Sequence, residues 1–465
     1  MRYLSTRGRA PALSFEAAML GGLARDGGLY VPEAVPRMPA GDIAALAGLS
    51  YEAAAARVIR PFLGDGFTDA ELDGILARAY AGFRHPARCP LVQIGANEWV
   101  LELHHGPTLA FKDMAMQLIG QMFEAVLARR GERLTIVGAT SGDTGSAAIE
   151  AFRGLDKVDV FILYPHGRVS EVQRRQMTTP TEGNVHALAV EGDFDDCQAL
   201  VKAMFNDHAF RDEVGLAAVN SINWARVLAQ TVYYFTSAVA LGAPARAVAF
   251  AVPTGNFGDI YAGHIARRMG LPVAGLVIAT NENDILHRTV QTGAYARRGV
   301  VATIAPSMDI QVSSNFERLL FELLDGDGSA VAQLMQELAG SGRFALPQGA
   351  LGRLREGFVS ASVNQAEAEA TIARIVRETG IVLDPHTAIG VAAAETCRGA
   401  RAVPMIALGT AHAAKFPDAV EAACGIRPAL PERMADLYDR AERSTVVAND
   451  LAAVEALIRA RRGTH

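Results

Sequence analysis

The chemistry that this chain can perform is limited first by its lysines. Its 44 basic residues include only four lysines, at positions 112, 157, 202 and 415. A lysine amine can form an imine with a carbonyl group, whereas the arginine guanidinium keeps its proton and cannot. Lys157 lies in a predicted polar turn and Lys202 on a predicted amphipathic helix, so both have structural explanations. The best candidate is Lys112, and Lys415 is its rival.

Lys112 lies at the start of a predicted helix. Apolar residues recur every four positions between residues 114 and 126, and Gly131 ends the pattern. The positive end of the helix dipole and the weakly polar residues 108–111 both disfavour a charged amine. We therefore expect a lowered pKa and a nucleophilic role for Lys112. The alternative is a structural lysine whose charge reaches solvent along an apolar stem.

Two strand–loop–helix elements carry glycines and hydroxyls where a strand ends. Residues 134–137 predict a strand, and the loop Thr140–Thr144 precedes a helix that we expect to start near Ser146. Exposed backbone amides at a helix N-terminus attract anions, so this loop suits a carboxylate or phosphate. An ordinary helix cap is the alternative explanation. The strand at 248–252 leads in the same way into Gly255–Asp259, which predicts a phosphate loop.

A third strand, predicted at 403–408, delivers Thr410 to its carboxyl end, where an ordinary turn is the alternative. The chain contains neither GxxxxGK[ST] nor GxGxxG, which disfavours nucleoside triphosphates and dinucleotides. One loop for a carboxylate, one for a phosphate and a lysine able to hold an aldehyde together match the requirements of a pyridoxal phosphate enzyme.

Strands alternate with helices from about residue 91 onward, which predicts an α/β fold with mostly parallel sheets covered on both faces. We expect a mainly helical N-terminal domain at 1–90. We expect a small α/β domain at 91–235, which holds Lys112, and a large α/β domain at 236–465, which holds the phosphate loop. Residues 322–375 read as a helical insertion in the large domain, with few strand signals.

Composition excludes several classes of protein. The net charge of −6 indicates no nucleic-acid or anionic-membrane partner, and no apolar run suggests a membrane span or signal peptide. The four cysteines are far apart and predict neither disulfides nor a zinc site. The adjacent histidines at 104 and 105 lack a carboxylate at metal-ligand spacing, so we expect no metal. A cytoplasmic location fits these features best.

Motifs along the whole chain resemble the threonine synthase family, in its bacterial and fungal branch. The matching strings lie at residues 3–8, 26–32, 105–113, 139–145, 220–223, 255–259, 308–310, 313–318 and 409–412. The resemblance implies fold type II of the pyridoxal phosphate enzymes, with two parallel-sheet domains and a mainly helical N-terminal domain.

The resemblance also implies roles for individual residues. Lys112 would bind the aldehyde of pyridoxal 5'-phosphate, and Thr410 would face the pyridine nitrogen. The other implied cofactor-binding residues are Phe111, Asp143, Gly255, Asn256, Phe257, Gly258 and Asp259. Asp143 would lie near the 3-oxygen. Ser141, Gly142 and Thr144 would bind the substrate carboxylate.

The implied reaction converts O-phospho-L-homoserine and water to L-threonine and phosphate. The leaving phosphate needs an anion site of its own. Plausible ligands, which the sequence does not rank, are Arg226, Asn281, Asn283, Asn315 and Arg318. Ser314 to Glu317 also form a capping-box pattern, so Ser314 and Glu317 have a structural explanation. The oligomeric state stays open between a monomer and a homodimer.

Two other interpretations of the same motifs remain. A threonine or serine dehydratase would share the fold and cofactor, but the long N-terminal segment and the 105–112 string favour threonine synthase. A catalytically inactive protein of the same family is the second, and the presence of Lys112, both loops and Thr410 disfavours it.

Overall fold

The fold is α/β, as the strand and helix rhythm predicts. A computed structural model describes residues 1–463, so the last two residues of the predicted large domain lie outside the described residues. Up to residue 240 the elements are β1 (Tyr3–Ser5), α1 (Phe15–Gly21), β2 (Tyr30–Pro32), α2 (Ala40–Ala44), α3 (Tyr51–Leu63), α4 (Asp69–Tyr80), β3 (Leu91–Gly95), β4 (Glu98–Glu102), α5 (Lys112–Arg130), β5 (Leu134–Ala139), α6 (Asp143–Phe152), β6 (Val158–Pro165), α7 (Glu171–Thr178), β7 (Val185–Glu191), α8 (Phe194–Asn206), α9 (His208–Val214), β8 (Leu216–Ala217) and α10 (Trp224–Ala240).

The second half of the chain continues the alternation. Its elements are β9 (Val248–Pro253), α11 (Gly258–Met269), β10 (Val273–Thr280), α12 (Ile285–Thr292), β11 (Ala294–Ala296), α13 (Phe316–Leu323), α14 (Gly328–Ser341), β12 (Arg343–Ala345), α15 (Gln348–Gly357), β13 (Val359–Ser362), α16 (Gln365–Thr379), α17 (Pro385–Thr396), β14 (Met405–Gly409), α18 (Pro417–Cys424), β15 (Thr445–Ala448) and α19 (Leu451–Arg461). Short 3₁₀ helices lie at Pro306–Met308, Ala413–Lys415 and Glu432–Met434. Among the described residues, no helix combines the length and apolar character needed to cross a membrane.

Two sheets form the frame. The larger has six strands in the order β13-β10-β9-β14-β4-β3, parallel except for the β3–β4 hairpin. The smaller has five parallel strands in the order β15-β7-β6-β5-β8. Strand β6 is buried along its whole length, as expected for a parallel strand covered on both faces. The three strands that the sequence predicts at 134–137, 248–252 and 403–408 are present as β5, β9 and β14.

Strand pairing does not follow the predicted domain boundaries. The hairpin β3–β4 precedes the small sheet in sequence but pairs within the large one, where β4 lies beside β14. Strand β15 follows the large sheet in sequence and joins β7 of the small one. The boundaries were placed where the sequence pattern changes, whereas these pairings join segments hundreds of residues apart, which no local pattern reports.

The predicted helical insertion at 322–375 also contains two short strands. It contains β12, which pairs with β11, and β13, which forms the edge of the six-stranded sheet beside β10. Both strands have four residues or fewer, too short for a recognisable alternation.

The N-terminal segment packs on helices that belong to the sheet domains. Helix α4 begins with a capping box, in which Thr68 accepts from the backbone N–H of Glu71. The hydroxyl of Tyr80, at its end, donates to the carbonyl of Met114 at 3.0 Å. Phe62 of α3 lies against Trp224 of α10, with ring centroids 6.2 Å apart. This packing joins the N-terminal segment to the helices that carry Lys112 and Arg226.

Candidate active site

Lys112 lies where the loops of both sheets meet. It is the first residue of α5 and is 7% exposed. Two backbone hydrogen bonds, from Phe111 N to Thr410 O at 2.8 Å and from His412 N to Leu109 O at 3.0 Å, tie the segment before it to the loop after β14. Its Nζ is 3.3 Å from Asp143 Oδ2, at the start of α6. The structure thus brings together Lys112, Thr410 and Asp143.

Burial is the main influence on the amine. It lowers the pKa of Lys112, and the cations of Lys415 and Arg226 lower it further, while Asp143 opposes the shift. The predicted direction is confirmed, and desolvation is its largest cause. Burial also works against the charge of Asp143, but Lys112 and Lys415 hold the pKa of that carboxyl well below its ordinary value.

Two residues of this centre were missed by the sequence analysis. Ser307, in the short helix Pro306–Met308, places its Oγ 3.3 Å from Lys112 Nζ. The sequence presents Lys415 only as a rival for the covalent role, yet its Nζ is 2.8 Å from Asp143 Oδ1. Its position five residues after Thr410 was the only local signal, and the tertiary structure was needed to interpret it.

The loop after β5 has free hydroxyls, as a carboxylate site requires. Thr140 Oγ1 accepts from the N–H groups of Gly142 and Gly145, both at 2.9 Å, which fixes the turn. Ser141 and Thr144 are half-buried, and neither hydroxyl has a hydrogen-bond partner within residues 1–463. Helix α6 begins at Asp143, three residues earlier than predicted, so its positive end lies directly at this loop.

The loop after β9 forms a cradle with little room for side chains. A Cβ on Gly255 would lie 2.8 Å from the carbonyl oxygen of Ser307, and one on Gly258 would lie 3.2 Å from Asn315 Nδ2. Phe257 adopts a left-handed conformation with φ of 63°, just before α11. Backbone N–H groups at the start of a helix are a favourable phosphate site, so the geometry agrees with the predicted cofactor-phosphate loop.

The Asp259 side chain is engaged by two tyrosines of α10 and is not suited to bind a phosphate. Its Oδ1 accepts from the hydroxyls of Tyr233 at 2.5 Å and Tyr234 at 2.9 Å, on α10. Burial raises the pKa of Asp259 to about 6, while the two tyrosines and Arg226 oppose that shift. A carboxylate would repel a phosphate, so a contact of Asp259 with the cofactor phosphate would come from its backbone N–H, and its cofactor-binding role stays a prediction.

Thr410 offers a hydroxyl without a protein partner. Its Oγ1 is buried and makes no hydrogen bond within residues 1–463. Its backbone N–H donates to Thr387 Oγ1 at 3.1 Å, and that hydroxyl in turn donates to Asp384. Asp384 also contacts His386 Nδ1 at 2.9 Å. A buried hydroxyl held at a fixed position is suited to the pyridine nitrogen of the cofactor.

Four of the five predicted phosphate ligands are already engaged. The Nδ2 groups of Asn281 and Asn283 both donate to Asp309 Oδ1, at 2.7 and 3.0 Å, and hold the loop that leads to Ser307. Asn315 Nδ2 donates to the carbonyl oxygens of Ser221 and Asn256. Arg318 donates to Asn315 Oδ1 and to the carbonyls of Tyr30 and Ile222. Both amide N–H groups of each asparagine are engaged, whereas Arg318 keeps one further N–H on each Nη. All four side chains organise the loops, and their role as phosphate ligands stays a prediction.

The capping box predicted at Ser314–Glu317 is also absent. Helix α13 has Asn315 as its N-cap and no side-chain cap bond. The Ser314 hydroxyl approaches Asn256 Oδ1 at 3.3 Å instead, and the Glu317 carboxylate accepts from Thr6 Oγ1 at 2.7 Å. Tertiary partners have replaced the local ones.

Arg226 differs from the other four candidates. It is 3% exposed, and its Nε and Nη1 have no hydrogen-bond partner within residues 1–463. Burial lowers its pKa to about 10, opposed by Tyr233 and Asp259. A buried guanidinium with free donors is a costly arrangement unless an anion occupies the space beside it.

The site lies between two mainly parallel sheets, where the Lys112 amine meets a glycine cradle and the buried Thr410 hydroxyl. This combination of fold and site defines a pyridoxal phosphate enzyme of fold type II. The threonine synthase of Pseudomonas aeruginosa is 56% identical over 459 residues, covering 98% of both chains. The chain belongs to the threonine synthase family. It is therefore a lyase that uses pyridoxal 5'-phosphate, which Lys112, residues 255–258 and Thr410 are suited to hold.

Family models and solved structures agree with this assignment. Models described as threonine synthase N terminus, pyridoxal-phosphate dependent enzyme, and threonine synthase C-terminal match residues 2–80, 85–353 and 387–458. The crystal structure of PLP-bound threonine synthase from Brucella melitensis superposes with a TM-score of 0.97 at 57% identity, covering 99% of both chains. Yeast threonine synthase gives 0.95 at 41% identity, covering 100% of this chain and 99% of that one.

More distant neighbours share the fold alone. A threonine deaminase isoform from Solanum lycopersicum has a TM-score of 0.51 at 14% identity, covering 77% of this chain and 93% of its own.

Proposed function

We propose that this chain converts O-phospho-L-homoserine and water to L-threonine and phosphate. The observation that carries the proposal is the buried guanidinium of Arg226, whose Nε and Nη1 have no hydrogen-bond partner within residues 1–463 and whose charge lowers the pKa of Lys112. The glycine cradle holds the cofactor phosphate through backbone N–H groups, so the Arg226 guanidinium is available for the phosphate of the substrate. A substrate without a phosphate would leave the Nε and Nη1 of Arg226 without a hydrogen-bond partner.

The other side chains of the site bind the substrate carboxylate and transfer protons. The hydroxyls of Ser141 and Thr144, with the start of α6, bind the substrate carboxylate. Pyridoxal phosphate, when bound, withdraws electrons from the α-carbon of the amino acid attached to it. Lys112 Nζ takes the α-proton in its neutral form, which its lowered pKa favours, and then moves a β-proton. Arg226 stabilises the phosphate as it leaves the γ-carbon, and water adds at the β-carbon.

The proposal is tested by measuring phosphate release from O-phospho-L-homoserine and the appearance of threonine. Lys112→Ala should abolish turnover with the fold retained, whereas Lys157→Ala, at an exposed lysine, should leave it unchanged. Borohydride reduction should attach the cofactor to Lys112, and attachment to Lys415 would contradict the assignment. Deamination of threonine with no activity on the phosphorylated substrate would indicate a dehydratase, and no activity on either would indicate an inactive relative.

Arg226→Met should lower kcat/KM for O-phospho-L-homoserine by about 10- to 100-fold, since a hydrogen bond to a charged group contributes about 1.5–3 kcal/mol. The reason is the loss of a buried cation whose Nε and Nη1 have no hydrogen-bond partner within residues 1–463. Arg377→Met, at a side chain that is 70% exposed, is the matched control. Equal kinetics of the two variants would remove Arg226 from the substrate site.

A cytoplasmic location and a monomeric or homodimeric state remain predictions from the sequence. Gel filtration coupled to light scattering would decide between the two oligomeric states.

A further inference from the structure

A second buried lysine touches the active-site carboxylate. Lys415, at the end of the short helix Ala413–Lys415, is fully buried. Its Nζ donates to Thr108 O at 2.8 Å and to Gln176 Oε1 at 3.0 Å, and it lies 2.8 Å from Asp143 Oδ1. An ammonium has three donors, and here each has an acceptor. Lys415 is therefore a fixed cation and has no free position for covalent or proton-transfer chemistry.

The Asp143 carboxylate is shared unequally between the two lysines. Oδ1 lies 2.8 Å from Lys415 Nζ and accepts from Gln173 Nε2, also at 2.8 Å. Oδ2 has longer contacts, 3.3 Å to Lys112 Nζ and 3.4 Å to Ser307 Oγ. The shorter ion pair belongs to Lys415. Lys112 thus faces a carboxylate whose charge is already neutralised on its other side.

The cations near Lys112 disfavour a proton on its Nζ. One carboxylate cannot stabilise two buried ammonium ions equally, and two like charges near each other disfavour each other. The charged groups that act on Lys112 are Asp143, Lys415 and Arg226, so two of the three are cations. Lys415 in turn acts on Asp113, whose carboxyl accepts from Thr108 beside it.

We propose that Lys415 is a positioning residue: its buried ammonium keeps Asp143 ionised and aimed at Lys112, and its charge drives the proton off Lys112 Nζ. The covalent role of one lysine therefore depends on the fixed charge of another. The proposal rests on the proposed role of Lys112 and is independent of which amino acid the enzyme transforms.

The test compares the full-length holoenzyme with Lys415→Gln and Lys415→Arg. The visible absorption of the bound cofactor depends on the protonation of the nitrogen it shares with its lysine, so a pH titration reports the apparent pKa without turnover. Lys415→Gln should raise this pKa by about one unit or more, because removing a nearby cation favours the protonated form. Lys415→Arg keeps the charge and should restore the wild-type titration. Lys202→Gln, at an exposed lysine, is the matched control.

Two results would overturn the proposal: an unshifted titration in Lys415→Gln, or an equal shift in Lys415→Arg, which would make shape rather than charge responsible. If Lys415→Gln does not fold, the double variant Asp143→Asn/Lys415→Gln is compared with Asp143→Asn alone. The double variant removes both charges of the buried ion pair and so leaves neither of them unpaired. An upward shift supports the proposal and no shift overturns it.

Borohydride labelling of each variant comes first. Label away from Lys112 would refute the proposed function, and label on Lys112 without a shift would refute only the role of Lys415.

Discussion

At the scale of single residues, the site is defined by buried polar atoms that lack hydrogen-bond partners and by two lysines that share one carboxylate. Thr410 Oγ1 and the Nε and Nη1 of Arg226 are buried without hydrogen bonds within residues 1–463, while Lys112 and Lys415 share one carboxylate. Unpaired buried polar groups reduce stability, and a ligand that supplies their partners would offset that cost. Asn281 and Asn283, whose amides are satisfied, carry no such indication.

Thr410→Val should weaken binding of pyridoxal phosphate by about 3- to 10-fold, which corresponds to the loss of one hydrogen bond of roughly 1 kcal/mol. Valine keeps the shape of threonine, and the lost hydroxyl has no protein partner, so the fold should be unaffected. Cofactor affinity is measured by fluorescence titration of the apoprotein. Thr410→Ser, which keeps the hydroxyl, is the control, and equal affinity in wild type and the valine variant would exclude the predicted contact.

At the scale of elements, each anion site is a strand end followed at once by a helix start. Residues 140–142 separate β5 from α6, and residues 254–257 separate β9 from α11. The short loops leave the first turn of each helix open to a ligand. Glycine is required at only some positions. Gly142 has φ of 144°, and a Cβ there would lie 2.4 Å from Gln173 Cδ.

Gly142→Ala should lower activity by about 100-fold or more and destabilise the fold by about 1–3 kcal/mol, because it strains the backbone. It also displaces Gln173 from its 2.8 Å bond to Asp143. Gly138→Ala, on the preceding strand, is the matched control, since its Cβ would meet only Ile162 Cδ1 at 3.5 Å. Steady-state kinetics and urea unfolding measure the two effects. Similar results for both variants would show that the conformation at 142 is unimportant.

At the scale of the whole molecule, the first turn of α13 joins distant parts of the chain. Glu317 accepts from Thr6 Oγ1 at 2.7 Å and from Arg7 Nε and Nη2, both at 3.0 Å. Two residues earlier, Asn315 donates to the carbonyl of Asn256 in the phosphate loop. The N-terminal segment therefore supports the phosphate loop through α13, although it contributes no residue to the predicted site.

Glu317→Gln should reduce the free energy of unfolding by about 1–3 kcal/mol, since it leaves the half-buried Arg7 without a charged partner. Chemical denaturation followed by circular dichroism measures this change. Glu337→Gln, at an exposed carboxylate on α14, is the control. A variant as stable as wild type would mean that the N-terminal segment docks without this contact.

Local order was predictable where the cause is local. Helix α5 has the predicted bounds because its apolar period and the Gly131 cap lie within the segment itself. The edge strand β13 was missed, because its four residues carry no clear period and only pairing with β10 makes them a strand. The same contrast separates the capping box at Thr68, which forms, from the one at Ser314, whose residues found stronger tertiary partners.

The sequence by itself determined the chemistry: an amine at a helix start, two loops for anions and a hydroxyl at a strand end, each readable from adjacent residues. Only the tertiary structure decided how these groups share charge. It brought Lys415 to Asp143 across 272 residues of chain, engaged Asn281, Asn283, Asn315 and Arg318 in holding loops, and left Arg226 with free donors. Hydrogen-bond partners and ion pairs between distant segments depend on packing, and residue type and spacing do not specify packing.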